Sequence, residues 1–223
     1  MDIKLLASKV FYALRRDGLT PTLHRVLTFF TRRRGRDNFD LEHGTDTGGI
    51  EPLWKFRISS PNRRYGVRYQ ATDEQELLDA LRLIHEKLET FTFIDLGCGK
   101  GRTLLVAARL GFKRVIGVEF ARELVEIASA NLAKLAIMNA AVEHADAADF
   151  RFPRSDVVLY LYNPFSQEVV RQVVAKLQES CSRRLYIIYK VPECAEVLDS
   201  SGFLSRLGYP PSRPYIQVWQ ALS

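Results

Sequence analysis

Cysteine is scarce in this chain, with Cys98, Cys181 and Cys194 the three in 223 residues. Three scattered cysteines cannot make a disulfide framework, and the odd count fits a reducing compartment, so we expect a cytoplasmic protein. Long apolar runs are missing as well. The longest, Val157 to Tyr162, falls far short of the roughly 18 to 20 residues that a bilayer span needs. The N-terminus has no apolar core segment followed by a small-residue cleavage site, so we expect neither a transmembrane segment nor a signal peptide. Histidine is equally sparse: His24, His43, His85 and His144 have no metal-ligand spacing with one another or with the cysteines. There is no G-x-S-x-G nucleophile elbow, no internal repeat and no low-complexity tract. What remains is 47% hydrophobic and 26% charged, a composition that excludes collagen, a disordered tail and a disulfide scaffold.

The formal net charge of +6 is unevenly placed. Residues 1–70 carry fourteen lysines and arginines against seven acids, and residues 71–223 eighteen against nineteen. The basic character therefore belongs to an N-terminal extension, densest at Arg32, Arg33, Arg34 and Arg36. That cluster is either a solvated loop or a contact for an anionic partner such as nucleic acid, a membrane surface or an acidic protein. Within the extension, helical spacing predicts a helix over 2–16 and a second from Thr20-Pro21 to about Phe30. Residues 35–70 read as a long loop with short extended pieces, and a loop of that length usually lines a site.

From residue 71 onward the pattern repeats strand and helix. The expected helices are 73–88, 102–110, 122–135, 167–179 and 193–200. The expected strands are 91–96, 114–119, 140–145, 156–162, 184–191, 203–207 and 215–222. Strands apolar throughout and separated by helices argue an α/β, doubly wound, mostly parallel sheet covered on both faces. The last two strands lie too close for a crossover helix and should pair as a hairpin. We therefore expect a main domain over 71–223 preceded by the extension 1–70.

The first strand runs into Asp95-Leu96-Gly97-Cys98-Gly99-Lys100-Gly101. Ligands of open parallel sheets sit beyond the carboxyl ends of the strands, and glycines there permit a sharp turn and close backbone approach. Neither G-x-G-x-x-G nor a P-loop is present. A carboxylate two residues before the first glycine would repel a pyrophosphate and suits a ligand bearing positive charge. The second strand ends in Glu119-Phe120, where an acid is placed to accept hydrogen bonds from ribose hydroxyls and Phe120 to pack on an adenine ring. Asp146-Ala147 ends the third strand, with a carboxylate placed to accept from an adenine amino group. Asn163-Pro164-Phe165 ends the fourth. Cys98 reads as a small filler, Tyr160 as core packing and Lys190 as a solvated lysine.

Residues 91–165 resemble a class I S-adenosylmethionine-dependent methyltransferase. The resemblance implies a seven-stranded sheet with a final antiparallel strand and S-adenosylmethionine as cofactor. Asp95, Gly97, Gly99 and Gly101 would line its methionine end, with Glu119 at the ribose and Asp146 at the adenine. Tyr69-Gln70-Ala71-Thr72 resembles the stretch ahead of the glycine motif in non-SET protein-lysine methyltransferases, including the ATP synthase c-subunit type. That adds Tyr69 and Thr72 as cofactor-closing residues. Asn163-Pro164-Phe165 is similar to the [DN]-P-P-[FY] motif of amino-group methyltransferases, with one proline in place of two, and implies that Asn163 and Phe165 face the acceptor. The expected acceptor is an amino nitrogen of a protein lysine or a small molecule. A small-molecule carboxylate or hydroxyl, bound through Arg63, Arg64 or Arg68, and RNA or DNA engaged by the basic extension are the alternatives.

Overall fold

The computed structural model describes residues 37–60, 62, 68–162, 165–180 and 184–222. The helices expected over 2–16 and 20–30, the Arg32–Arg36 cluster, and Asn163 and Pro164 lie outside the described residues.

The chain enters through a short helix α1 (Asn38–His43). A two-residue antiparallel ladder follows, β1 (Ile50–Glu51) with β2 (Tyr69–Gln70). Helix α2 (Glu74–Leu81) leads to the main sheet. Its strands are β3 (Thr92–Leu96), β4 (Arg114–Glu119), β5 (Ala140–His144), β6 (Val157–Tyr162), β7 (Leu185–Lys190), β8 (Leu204–Gly208) and β9 (Ile216–Ala221). The intervening helices are α3 (Arg102–Arg109), α4 (Arg122–Lys134), α5 (Gln167–Ser180) and α6 (Ala195–Asp199). Strand order is β5-β4-β3-β6-β7-β9-β8. All neighbours run parallel except β9, which is antiparallel to both β7 and β8. This is the seven-stranded, doubly wound arrangement expected from the sequence, with the final hairpin in place.

The unbroken apolar runs follow from burial on both faces. Successive strand residues point to opposite sides. Ile94, Leu96, Leu159 and Leu161 therefore pack with Val169, Val170, Val173 and Leu177 of α5. Phe93, Val115, Val158 and Tyr160 pack the other way, with Leu77 and Ala80 of α2 and Leu104 and Leu105 of α3. Gly117 of β4 is required by close approach: a Cβ there would stand 2.6 Å from Leu104 Cδ1 and 2.7 Å from Cys98 Sγ. Cys98 is thus the buried space-filler that its setting suggested.

Two segments differ from the sequence expectation. The helix expected over 73–88 ends at Leu81, where the chain tightens into turns, with Leu83 N–H donating to Ala80 and Ile84 N–H to Leu81. That tightening buries Ile84 and brings Glu86 to the Arg184 guanidinium at 2.9 Å. The 35–70 loop also contains α1, whose caps are Asp37, accepting from Asp40 N–H, and Gly44 in the left-handed region. No described helix is long and apolar enough to cross a membrane.

Candidate functional site

The sheet reverses its strand order at β3, which is flanked by β4 on one side and β6 on the other. Such a switch point opens a crevice at the carboxyl ends of the strands. Here the crevice is a cavity of about 80 Å³. Gly97, Glu119, Phe120, Asp146 and Ala147 line its sheet side, Tyr162 and Phe165 the end beyond β6, and Leu53, Asn62, Arg68, Tyr69 and Gln70 its cover. The turn after β3 places Gly97, Gly99 and Gly101 at φ of +86°, +55° and +84°, and Gly101 caps α3.

Glu119 ends β4 with 4% of its surface exposed. One carboxylate oxygen accepts the Gly99 N–H and the other the Ala121 N–H, each at 3.0 Å. Burial pushes its carboxyl up to about 7, against the opposing pull of those backbone hydrogen bonds. Asp95, at the end of β3, accepts from the Thr103 hydroxyl. Burial pushes it up to about 7 as well; the Thr103 hydrogen bond opposes that shift and the Glu119 charge adds to it. Two buried carboxylates so close together favour a cationic ligand. Asp146, beyond β5, is already served by the chain. Its Oδ2 accepts from the Ser60 hydroxyl and, at 3.0 Å, from Asn62 Nδ2, and its Oδ1 from the Ala148 N–H at 2.9 Å.

The described part of the cover is residues 53–60, 62 and 68–70. Leu53, Ile58 and Tyr69 pack on Ala121 and Leu124 at the start of α4, and Arg57 N–H donates to the Glu123 carboxylate. The Tyr69 ring lies across Gly99 where a Cβ would overlap it, and its hydroxyl donates to the Thr47 carbonyl. Thr72 sits one layer lower, buried, in a 2.8 Å hydrogen bond with the Tyr160 hydroxyl.

Of the residues singled out in the sequence, Tyr69, Gly97, Glu119, Phe120, Asp146, Ala147 and Phe165 share the cavity. Asp95 and Thr72 stand buried behind it. Gly99 lies beneath the Tyr69 ring, and Gly101 packs against Ala128 and Leu104. Lys190 departs from its expectation: it is 5% exposed. Its ammonium pairs with Glu76 at 2.5 Å and lies 3.9 Å from the Tyr162 ring centroid, because α2 closes over the end of β7. Tyr215 donates to the second Glu76 oxygen at 2.7 Å.

Sequence reasoning also missed a set of charges behind the glycine turn. Lys100 and Arg102 flank Gly101 at the amino end of α3, where the helix dipole disfavours cations. Acids from 37–46 compensate. Lys100 Nζ lies 2.9 Å from Asp46, and Arg102 Nη2 lies 2.6 Å from Asp37 and 3.8 Å from buried Asp40. Asn131 ties the two segments, accepting from Asp46 N–H and donating to the Asp46 and Lys100 carbonyls. Two cations at a helix start with no local acid were the available signal.

Comparison with known proteins gives the class. Residues 93–185 match the family described as "Methyltransferase domain". A Methanocaldococcus jannaschii protein, "Uncharacterized protein MJ0284", is 35% identical over 75 residues, 34% of each chain. The match thus spans about a third of that relative's length. HI0767 from Haemophilus influenzae, named as a methylase, superposes with a TM-score of 0.51 at 18% identity, over 67% of this chain and 96% of that one. SMU.1697c from Streptococcus mutans, named as a methyltransferase and solved with S-adenosylhomocysteine, gives 0.50 at 14%, over 69% and 100%. PH1948 from Pyrococcus horikoshii, named as an RNA methyltransferase, gives 0.50 at 23%, over 77% and 95%. At these identities the likeness is one of fold. Residues 93–185 thus match a methyltransferase domain.

Proposed function

We propose that this methyltransferase domain uses S-adenosylmethionine to methylate an amino nitrogen, on a protein lysine or a small amine. One observation carries the reading. A buried carboxylate, Glu119, faces the same cavity as Gly97 at the switch point, with Asp146 on the next strand end. The residues fit such a cofactor. Each Glu119 oxygen accepts one backbone N–H and keeps capacity for a ribose hydroxyl. The Phe120 ring offers a face for adenine, and the paired carboxyls Asp95 and Glu119 suit a sulfonium. When bound, the cofactor supplies a methyl group on a sulfonium, already activated for in-line displacement.

The chain's own residues then align the acceptor and keep water out. The cavity, about 80 Å³, is smaller than the roughly 300 Å³ or more of ligand pockets, so the described part of the cover would have to move outward to admit the nucleoside. The contacts it would release are those of Ser60 and Asn62 with Asp146 and of Arg57 with Glu123. Tyr162 and Phe165 supply an aromatic wall, where low polarity favours the neutral, nucleophilic form of an amine. Asn163, adjoining that wall in sequence, would accept from the target nitrogen.

Titration calorimetry with S-adenosylhomocysteine tests the cofactor half: wild type binds, and Glu119→Ala binds at least about tenfold more weakly. No heat from the wild type refutes it. Labelled methyl transfer into a cell lysate tests the acceptor half. Acid- and base-stable product lost in Asn163→Ala supports an amine, and equal labelling by that variant removes the role of Asn163. A second reading, an RNA acceptor, draws on the basic residues 1–70 and on the fold likeness to PH1948. It requires RNA affinity that falls steeply with salt.

A further inference from the structure

The cations around the site differ in how they are paired. Lys190 has Glu76, Lys100 has Asp46, and Arg102 has Asp37 and Asp40. Arg68 is the one lysine or arginine among the described lining residues, and it has no carboxylate partner among the described residues. Its guanidinium donates through Nε and Nη2 to a neutral group, Gln70 Oε1, at 3.4 and 3.2 Å. Alternation explains that contact, since Arg68 just ahead of β2 and Gln70 within it, two apart, share a face while Tyr69 between them turns onto Gly99. The Gln70 amide is thereby oriented with its oxygen on Arg68 and its NH2 group free of a partner among the described residues. Among the described lining residues the cavity therefore presents, at exposed Arg68 and half-buried Gln70, N–H donors without an acceptor and a charge without a carboxylate partner. The acids in the cavity do not answer it: Glu119 and Asp146 are engaged by donors of their own.

We infer that Arg68, held by Gln70, is a specificity residue that binds an anionic group, a carboxylate or a phosphate, on the methyl acceptor. This deepens the methyltransferase reading and rests on it. A guanidinium offers a planar fork that matches either oxyanion in a bidentate way. With one edge turned to Gln70, the remaining N–H groups stay open to the cavity mouth. The neighbouring aromatic wall, Tyr162 and Phe165, would take the part of the acceptor that carries the reacting nitrogen. The acceptor class is therefore an amine that also bears a negative charge.

The test uses the whole protein saturated with S-adenosylhomocysteine and titrated with inorganic phosphate or with acetate, for wild type, Arg68→Ala and Arg68→Lys. The expected result is anion binding in wild type that weakens at least about tenfold in Arg68→Ala, with partial retention in Arg68→Lys. Affinity for S-adenosylhomocysteine stays unchanged in both variants. Preference for phosphate identifies a phosphorylated acceptor, and preference for acetate a carboxylate. Equal anion binding by wild type and Arg68→Ala overturns the inference. So does a comparable loss of S-adenosylhomocysteine affinity in Arg68→Ala, because Arg68 would then serve the cofactor. Failure of wild type to bind S-adenosylhomocysteine at all refutes the underlying methyltransferase reading instead, so the two failures are separable.

Discussion

Replacing Asp40 with alanine should cost a large part of the stability of the fold, although Asp40 lies outside the cavity. Its carboxylate is 1% exposed. One oxygen accepts from the Thr45 hydroxyl at 2.8 Å and from the Thr47 N–H and hydroxyl, both at 2.7 Å; the other accepts from the Gly48 N–H at 2.6 Å. The hydroxyls can rotate to other partners, but the Thr47 and Gly48 N–H groups cannot. Each donor stranded in the interior costs about 1 to 3 kcal/mol. Of its two carboxylate partners Arg102 would keep only the partly exposed Asp37. A loss of about 3 to 5 kcal/mol is expected, in line with breaking a buried ion pair from one side, and is readable in urea unfolding at pH 7. Asp40→Asn, which keeps an oxygen for Thr45 and Thr47, should lose less. Burial raises the Asp40 carboxyl, but the hydrogen bonds from Thr47, Thr45 and Gly48 outweigh it and hold it below its ordinary 3.8. The unfolded chain therefore takes up the proton first as pH falls. The advantage of wild type over Asp40→Asn should be full above that value and shrink below about pH 4. An Asp40→Ala variant within about 1 kcal/mol of wild type would refute the accounting.

Two further outcomes follow from the site. Asp95 and Glu119 are raised to about 7, so between about pH 4 and 7 the folded protein holds protons that the unfolded chain has released, and stability falls as pH rises. Asp95→Asn should flatten that slope in urea midpoints taken from pH 5 to 8, and an unchanged slope contradicts the assignment. Gly99→Ala should cost about 1 to 2 kcal/mol for its positive φ and more for displacing the Tyr69 ring. Tyr69→Ala in the same chain should recover the second part, and a strictly additive double variant would show that the ring and the glycine do not meet.

The sheet was legible because two-sided burial leaves a local mark: β6 is apolar throughout, Leu185–Tyr189 of β7 likewise, and β3 and β4 are apolar apart from their ends, Gly117 and the carboxylates Asp95 and Glu119. The carboxylates at their ends were legible because strand ends are where such a sheet meets ligands. What failed was pairing across the chain. Lys190 looks solvated beside its sequence neighbours, yet its counter-ion Glu76 is 114 positions away. Arg102 and Lys100 meet Asp37, Asp40 and Asp46 only once α1 packs behind the glycine turn. Helix α1 itself had readable caps in Asp37 and Gly44, but its six residues are too few for a periodicity to stand out. The donors Ser60 and Asn62 reach Asp146 from a segment whose course depends on hydrophobic seating at Leu53 and Ile58, which no local pattern announces.

The Lys190 cluster links parts of the molecule that seem unrelated. Tyr215, at the mouth of the closing hairpin, grips Glu76 on α2, Glu76 grips Lys190, and Lys190 rests on the Tyr162 ring that walls the cavity. The antiparallel pair at the sheet's far side is thus wired to the Tyr162 side of the crevice through four side chains. Lengthening the turn between β8 and β9 would be felt not as a frayed margin but as a displacement of the Tyr162 ring that lines the cavity.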